Sequence, residues 1–334
     1  MTTTTIETER SDWGVAVAQR RPGERGAAGS GSGLLFGCAE SAEVPHCSRE
    51  DVCGGPGGGP VTGASLCVLA SSSGGNCSAL LVERGDAREV VLIDAGLSPR
   101  RTRAFLAMRG WGGVRIAGIV LTHLDHDHWN PSWVNALDEK ASVWVHRRHL
   151  GRAGRSGVTT RRTEVFEEQF EVGAGVEVKS SLLSHDSLGC AVFRFCVRGE
   201  ERSGTLGYAT DLGRATEKLV RLLKGVETLA IESNYCPVMQ EASNRPECLK
   251  RRITDGSGHL SNEQSAHAVA EIGPTRRVVL LHLSRECNRP EVAAAEHAAR
   301  YGGVVEGVEG PGTGVRIHVS RPDGPIEPVD LLRA

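Results

Sequence analysis

The chain has 334 residues, of which 39% are hydrophobic and 24% are charged, so it can bury the core of one large domain or of one domain with a tail. Its net charge of −2 suggests neither a nucleic-acid-coating protein nor a membrane-surface protein, and only local patches could argue for either partner. The sequence contains no apolar run of about eighteen residues and no signal-peptide pattern at its start. We therefore expect a cytoplasmic protein with no membrane partner and with free cysteine thiols.

The first 60 residues differ in composition from the rest of the chain. They contain Gly29-Ser30-Gly31-Ser32-Gly33 and a second glycine and proline run at Gly54–Pro60. Glycine and proline at this density bury too little apolar surface to offset the conformational entropy lost on folding. The composition predicts a disordered tail over residues 1–60 and one folded domain over residues 61–334.

Short β-rich runs and helical patterns follow from about residue 64. The predicted strands are Ser65–Ala70, Ala79–Val82, Val90–Ile93, Ile116–Leu121, Val143–Val145, Val176–Leu183, Val192–Val197, Thr205–Ala209, Thr228–Ile231, Val278–Leu281 and Val315–Val319. The predicted helices are Pro99–Arg109, Arg214–Lys224, Asn262–Ile272 and Pro290–Tyr301. The early strands have little helix between them, which predicts hairpins, whereas the later strands alternate with helices. This mixture predicts an α/β protein of four layers, an αββα sandwich in which two mixed β-sheets are flanked by helices.

The densest cluster of metal-ligand side chains follows the apolar run Ile116–Leu121. Three histidines and two aspartates fall within six residues, namely His123, Asp125, His126, Asp127 and His128. Such side chains are costly to bury unless something pairs with them, and a metal cation is a suitable partner. The segment predicts a hydrolytic metal site, and one loop cannot supply all of its ligands.

Three more candidate ligands, His185, Asp211 and His282, stand directly after apolar runs. A side chain at such a position can project from a rigid sheet edge into a shared pocket. A single histidine at a strand end is more often structural or exposed. Together with the first cluster, however, these three residues predict an assembled site.

These residues resemble the metallo-β-lactamase fold superfamily of metal-dependent hydrolases, and the resemblance covers roughly residues 64–320. The family motif His-x-His-x-Asp-His follows a strand. His123, Asp127 and His128 match that motif, whereas Asp125 stands where the second histidine normally stands.

The later positions extend the resemblance. His185, Asp211 and His282 fall at the family's remaining ligand positions, with Asp211 as the bridging carboxylate, and Asp94 matches an aspartate that supports the metal loop. The resemblance implies two divalent ions, zinc before manganese or iron. The implied ligands are His123, Asp125, Asp127, His128, His185, Asp211 and His282.

A narrower set of segments resembles the YycJ (WalJ) branch, whose members are regarded as exonuclease-like phosphodiesterases. These segments are Ser71–Ser78, Ser184-His185-Asp186, Glu232-Ser233-Asn234, Gly258–Asn262 and Leu281–Ser284 with Asn288.

The aspartate at position 125 changes the charge expected at the metals. Two divalent ions, three aspartates and one bridging hydroxide give a neutral site, whereas a histidine at this position would leave one positive charge. An anionic substrate would be attracted less strongly, and manganese or iron would compete better with zinc. Two alternatives stay open: His126 rotates into the site in place of Asp125, or only one metal position is filled.

The resemblance implies attack of a metal-bound hydroxide on a phosphodiester. Asp127 would ligate a metal and orient the nucleophile, and His259 would contact the phosphate or protonate the leaving oxygen. His259 is otherwise a loop residue that caps a helix. The small residues of Ser71–Ser78 suit either a turn that approaches the substrate or a plain hairpin turn.

Two basic clusters bear on the substrate: six arginines within Arg147–Arg162, and Lys250-Arg251-Arg252. Such clusters bind the backbone of DNA or RNA, although most basic clusters are simply solvated faces. Three interpretations compete: a phosphodiesterase or nuclease, a hydrolase of a small ester, thioester or lactone, and a non-catalytic metal-binding member of the family. The sequence indicates no oligomeric state.

Overall fold

The computed structural model describes residues 60–173, 175–302, 304–305 and 314–332. The disordered tail predicted over residues 1–60 lies outside these ranges except for Pro60, so that prediction concerns residues that are not described. The predicted domain over 61–334 is described for most of its length. Among the described residues, no helix is long and apolar enough to cross a membrane, and the seven described cysteines are free thiols.

The first sheet carries the early strands. Its strands lie in the order β15-β1-β2-β3-β4-β5-β6. Their bounds are β1 Gly63–Ala70, β2 Cys77–Arg84, β3 Ala87–Ile93, β4 Arg115–Val120, β5 Ser142–His146, β6 Arg162–Phe166 and β15 Val329–Asp330. Strands β1, β2 and β3 pair antiparallel, which confirms the predicted hairpins, and β3 to β6 pair in parallel.

The second sheet carries the later strands, in the order β13-β14-β12-β11-β10-β9-β8-β7. Their bounds are β7 Gln169–Glu171, β8 Val176–Leu183, β9 Cys190–Arg198, β10 Ser203–Ala209, β11 Thr228–Glu232, β12 Arg277–Leu281, β13 Val304–Val305 and β14 Arg316–Val319. Strands β10, β11, β12 and β14 run parallel to one another. Their carboxyl ends therefore meet at one edge of this sheet, where residues from different strands can share a site.

The helices connect and cover the sheets. They are α1 Pro99–Met108, α2 Trp133–Ala136, α3 Leu150–Arg155, α4 Glu217–Leu223, α5 Pro237–Ala242, α6 Glu247–Thr254, α7 Asn262–Ile272 and α8 Pro290–Tyr301. The helix predicted to begin at Arg214 begins at Glu217, because the Thr216 side chain caps it by accepting from the Leu219 N–H. Ser261 and Gln264 form a capping box that starts α7.

Three apolar clusters define the layers. The central one joins the facing sides of the sheets, with Val68 and Ile93 from the first sheet and Phe193 and Tyr208 from the second. A second cluster packs the outer side of the first sheet against helices such as α1 and α2. A third packs the outer side of the second sheet against helices such as α4 and α7. The αββα arrangement predicted from the sequence is thus confirmed.

Candidate metal centre

Three site residues stand just beyond strands in a left-handed backbone conformation. Asp94 follows β3, Asp211 follows β10 and His282 follows β12, with φ values of 59°, 52° and 54°. Residues with a Cβ pay about 1–2 kcal/mol in this conformation. Such strain persists where the surrounding structure holds it, and it is found most often at functional sites.

The seven side chains proposed as ligands lie together in the structure. The His123, Asp125 and His185 ligand atoms lie within 4.8 Å of one another, and we call these residues the Asp125 group. Those of Asp127, His128 and His282 also lie within 4.8 Å of one another, and we call these the His128 group.

Asp211 lies between the two groups. Its Oδ2 is 2.9 Å from His128 Nε2, and its Oδ1 is 2.9 Å from His282 Nδ1. His123, His128 and Asp211 also form a close set, which links Asp211 to the Asp125 group. The buried imidazoles outweigh desolvation and hold the pKa of Asp211 well below its usual range. The position suits the bridging carboxylate that the sequence resemblance implies.

His128 is oriented by a buried carboxylate. Its Nδ1–H donates to Asp94 Oδ2 over 2.7 Å, and Asp94 also accepts from the backbone N–H and the hydroxyl of Thr122. This contact directs the other ring nitrogen, Nε2, towards Asp211. Burial lowers the pKa of His128, but Asp211, Asp94 and Asp127 outweigh it and raise that pKa well above its usual value. A carboxylate behind a histidine is typical of metal-ligating imidazoles.

Each histidine of the Asp125 group is also oriented by a contact at its ring nitrogen Nδ1. His123 Nδ1 lies 3.0 Å from the Thr122 hydroxyl, and His185 Nδ1 donates to the Gly258 carbonyl over 3.2 Å. Burial, reinforced by the neighbouring His128, lowers the pKa of His123 well below its usual value. His123 is therefore neutral, which is the form that binds metals.

The structure shows which of the adjacent residues Asp125 and His126 belongs to the site. Asp125 Oδ2 lies 3.8 Å from His123 Nε2, within the Asp125 group. The His126 side chain is 90% exposed and belongs to neither group. The geometry therefore favours Asp125 over a rotated His126. The other oxygen of Asp125, Oδ1, is 2.5 Å from Arg152 Nη1 in α3.

The turn between β1 and β2 contacts candidate ligands from both sheets. The sequence analysis did not predict these contacts. Asn76 donates from its backbone to the Asp127 carbonyl over 2.7 Å and from Nδ2 to the Asp127 carboxylate over 3.2 Å. The Ser71 hydroxyl accepts from the His282 N–H. A Cβ at Gly96, which follows β3, would lie 1.8 Å from the Asp127 carbonyl, so only glycine fits at position 96 beside the loop that carries Asp127. The predicted hairpin turn is confirmed, and it also fixes two candidate ligands.

His259 lies beside Asp211 and is held by a residue that the sequence analysis did not single out. Its Nδ1–H donates to Glu232 Oε1 over 2.6 Å, and Nδ1 is 3.5 Å from Asp211 Oδ1. Glu232 is fully buried at the end of β11, where its Oε2 accepts from the Leu212 N–H. Burial lowers the pKa of His259, but Glu232, Asp211 and Asp127 outweigh it and raise that pKa to about 9. The only sequence signal for Glu232 was its place in the narrower branch motif.

A cavity of about 450 Å³ opens over the site. Site residues on its wall are Asp125, Asp127, His185, Asp211, His259 and His282, and helix α6 and the segment before it contribute Arg245, Leu249, Arg252 and Ile253. The six arginines of Arg147–Arg162 do not line this cavity, and Arg147, Arg152 and Arg162 have carboxylate partners. Arg252, from the second basic cluster, stands at the rim.

The chain also resembles known proteins in sequence. Residues 89–283 match the family model described as a beta-lactamase superfamily domain. The chain is 28% identical to "Exodeoxyribonuclease YycJ" of Bacillus anthracis over 69% of this chain and 86% of that protein. It is 25% identical to "Exodeoxyribonuclease WalJ" of Streptococcus pneumoniae over 78% of this chain and 96% of that protein.

Solved structures agree on the fold. The crystal structure of the metallo-beta-lactamase fold protein YhfI from Bacillus subtilis matches with a TM-score of 0.56 and 12% identity, over 79% of this chain and 99% of that chain. At this identity the likeness concerns the fold alone. The family model covers more than half of the chain, and the chain therefore belongs to the beta-lactamase superfamily.

Proposed function

We propose that the protein is a metal-dependent phosphodiesterase that degrades DNA from an end at a two-metal site. One observation carries the proposal: two groups of three ligand-type side chains lie on either side of one buried carboxylate, Asp211. When bound, two divalent ions activate a water molecule and stabilise the charge that develops on a phosphate.

The donor atoms fit such ions. Imidazole nitrogens and carboxylate oxygens suit zinc, and the three aspartates also accommodate manganese or iron. Asp94 and Gly258 hold the far side of His128 and His185, so each ring keeps one nitrogen for a metal. We infer that the Asp125 group would hold one ion and the His128 group the other, and that Asp211, which lies close to both groups, would contribute to each site.

Asp127 and His259 have distinct parts in this proposal. Asp127 Oδ2 lies 3.6 Å from His128 Nε2 and 3.8 Å from His282 Nε2, so it would help to hold an ion within the His128 group and would orient a water molecule there. His259 uses Nδ1 to donate to Glu232, which leaves Nε2 to hold a proton for the leaving oxygen.

DNA is the favoured substrate because the curated relatives are named exodeoxyribonucleases. Arg245 and Arg252 also lie on the cavity wall, where they pair with Glu286 and Asp186 and could exchange these partners for a phosphate. The cavity volume of about 450 Å³ is of the order that holds a small molecule or a single terminal nucleotide. This size favours attack on a strand end.

The test compares linear duplex DNA, single-stranded DNA, RNA and a closed circular duplex, each with zinc or manganese. We expect mononucleotides from linear DNA and an intact circle. Asp127→Ala should lower the rate by at least about a thousandfold, because it removes a ligand. Asp86→Ala is the matched control, the same substitution at an exposed residue of the turn between β2 and β3 and outside the cavity, and should change the rate by less than about threefold.

The same panel, extended by an ester, a thioester and a lactone and by metal analysis of the protein, can refute the proposal. Equal losses in the two variants would show that Asp127 has no special role. Inactivity of the metal-loaded protein on every nucleic acid, with activity on an ester, thioester or lactone, would assign the site to small-molecule hydrolysis. Failure to bind metal at all would indicate a non-catalytic member of the family.

A further inference from the structure

Asp125 divides its two carboxylate oxygens between different partners. Oδ2 faces His123 within the Asp125 group, whereas Oδ1 is 2.5 Å from the Arg152 guanidinium. The Asp125 side chain is 22% exposed, so burial does not hold it in place as it holds His123 and His185. Without a partner on Oδ1, this carboxylate could rotate towards solvent or offer both oxygens to one ion.

Arg152 is well placed to prevent that. It projects from α3, which Ala153 anchors in the apolar cluster behind the first sheet. Its guanidinium is planar and permanently charged, so its contact with a carboxylate fixes orientation as well as charge.

The charge balance points to the same pair. An aspartate in place of the motif's second histidine adds one negative charge to the metal site, and the Arg152 guanidinium adds one positive charge at 2.5 Å. The net charge at the site is then the same as in the family pattern, where a histidine stands at this position. A neutral imidazole would need no such partner.

We propose that Asp125 and Arg152 act together as a substitute for this histidine: Asp125 Oδ2 is the ligand, and Arg152 is a positioning residue that holds Oδ1 and offsets its charge. The inference rests on the proposed metal centre. It predicts that Arg152 matters for metal binding only while position 125 is an aspartate.

The experiment titrates metal-free protein with zinc chloride and counts the bound equivalents, with no substrate present. We expect two zinc equivalents in the unmodified protein, and about tenfold weaker binding of one of them in Arg152→Ala. Arg155→Ala is the matched control, since it removes the same charge from the same helix and Arg155 makes no ion pair with Asp125 in the described structure. Its zinc affinities should stay unchanged.

A second background isolates the coupling. Asp125→His restores the family motif, and adding Arg152→Ala to it should leave the zinc affinities unchanged. An equal loss in the two backgrounds, or no loss in Arg152→Ala alone, would overturn the proposal. A large drop in the melting temperature of metal-free Arg152→Ala would also overturn it, because Arg152 would then be structural.

The same titration separates this inference from the proposed function. Two zinc equivalents with the expected coupling, but no phosphodiesterase activity, would leave the Asp125–Arg152 pair standing and refute the function. No zinc bound to the unmodified protein would refute both.

Discussion

The His128 group and the Asp125 group contain the same kinds of side chain in different surroundings. His128 is fully buried and its ring is held by Asp94, which is itself fully buried. Asp125 is 22% exposed and is held by a partly exposed arginine. One group is thus fixed by a buried polar network, and the other depends in part on an ion pair at the edge of the cavity.

The difference matters because buried and exposed supports differ in strength. A buried carboxylate that is fully hydrogen-bonded has few alternative positions, and removing one partner leaves the others uncompensated. An exposed ion pair competes with water and contributes less. We therefore expect the His128 group to bind its metal more tightly, and the Asp125 group to be where this chain departs from its family.

The largest effect should come from the residue that the two groups share. Asp211→Ala removes an oxygen 2.9 Å from His128 Nε2 and another 2.9 Å from His282 Nδ1, so one nitrogen of each ring loses its nearest carboxylate. We expect loss of at least one of two zinc equivalents and a fall in activity of about a thousandfold or more. Metal analysis after gel filtration measures the first and the DNA assay the second. Retention of both zinc equivalents would mean that Asp211 does not bridge.

A smaller effect should separate the groups. Asp94→Asn keeps an oxygen for Thr122 but weakens the charge-assisted contact that orients His128. We expect metal affinity to fall by about 10- to 100-fold at one position, with the other nearly unchanged. Zinc titration of the variant checks this. Equal weakening at both positions would show that the two groups are one cooperative unit.

The fold could be predicted from the sequence because its signals are local. Apolar runs and alternation reveal strands such as Val90–Ile93, and a polar residue directly after such a run marks a sheet edge. The short strands β6, β7, β13 and β15 and the short helices α2, α3, α5 and α6 were not predicted. These elements are two to eight residues long, and so short a window carries too little periodicity to identify.

The candidate ligands could be found because each follows a strand: the first four lie in the loop after β4, and His185, Asp211 and His282 lie within two residues of a strand end. Their supports could not be found in this way. Glu232 ends β11 within a short polar run, and its contact with His259 joins residues 27 positions apart. Arg152 belonged to a basic cluster that was taken for a nucleic-acid surface or a solvated face. Both roles depend on tertiary packing, which one sequence does not reveal. The left-handed backbone at Asp94, Asp211 and His282 is equally invisible, since nothing local demands it.

Replacing Glu232, whose carboxylate lies close to Asp211, His259 and His282, tests the proposed proton transfer against a role in metal binding. Glu232→Gln keeps the shape of the side chain but removes the negative charge next to His259. If His259 supplies a proton, kcat should fall by about 10- to 100-fold while both zinc equivalents remain. Steady-state kinetics and metal analysis of one preparation measure the two quantities. Loss of zinc would instead place Glu232 among the residues that bind metal.

The smallest effect should come from a second arginine–aspartate pair on the side of the Asp125 group. Arg252 lies 3.4 Å from Asp186, next to His185, and the two side chains are 70% and 41% exposed. Unlike Asp125, Asp186 is absent from the sets of close ligand atoms in the described structure, so this pair holds no candidate ligand. Arg252→Ala should therefore leave the zinc affinities unchanged and alter the free energy of unfolding by less than about 1 kcal/mol.

Because Arg252 lies on the cavity wall, its removal should still raise KM for DNA by about twofold to threefold at low salt, and the difference should vanish at high salt. Zinc titration and kinetics at two salt concentrations measure both effects. If Arg252→Ala weakened zinc binding as much as Arg152→Ala, general positive charge near the cavity would explain both losses. The distinction between an arginine that positions a ligand and one that meets the substrate would then be wrong.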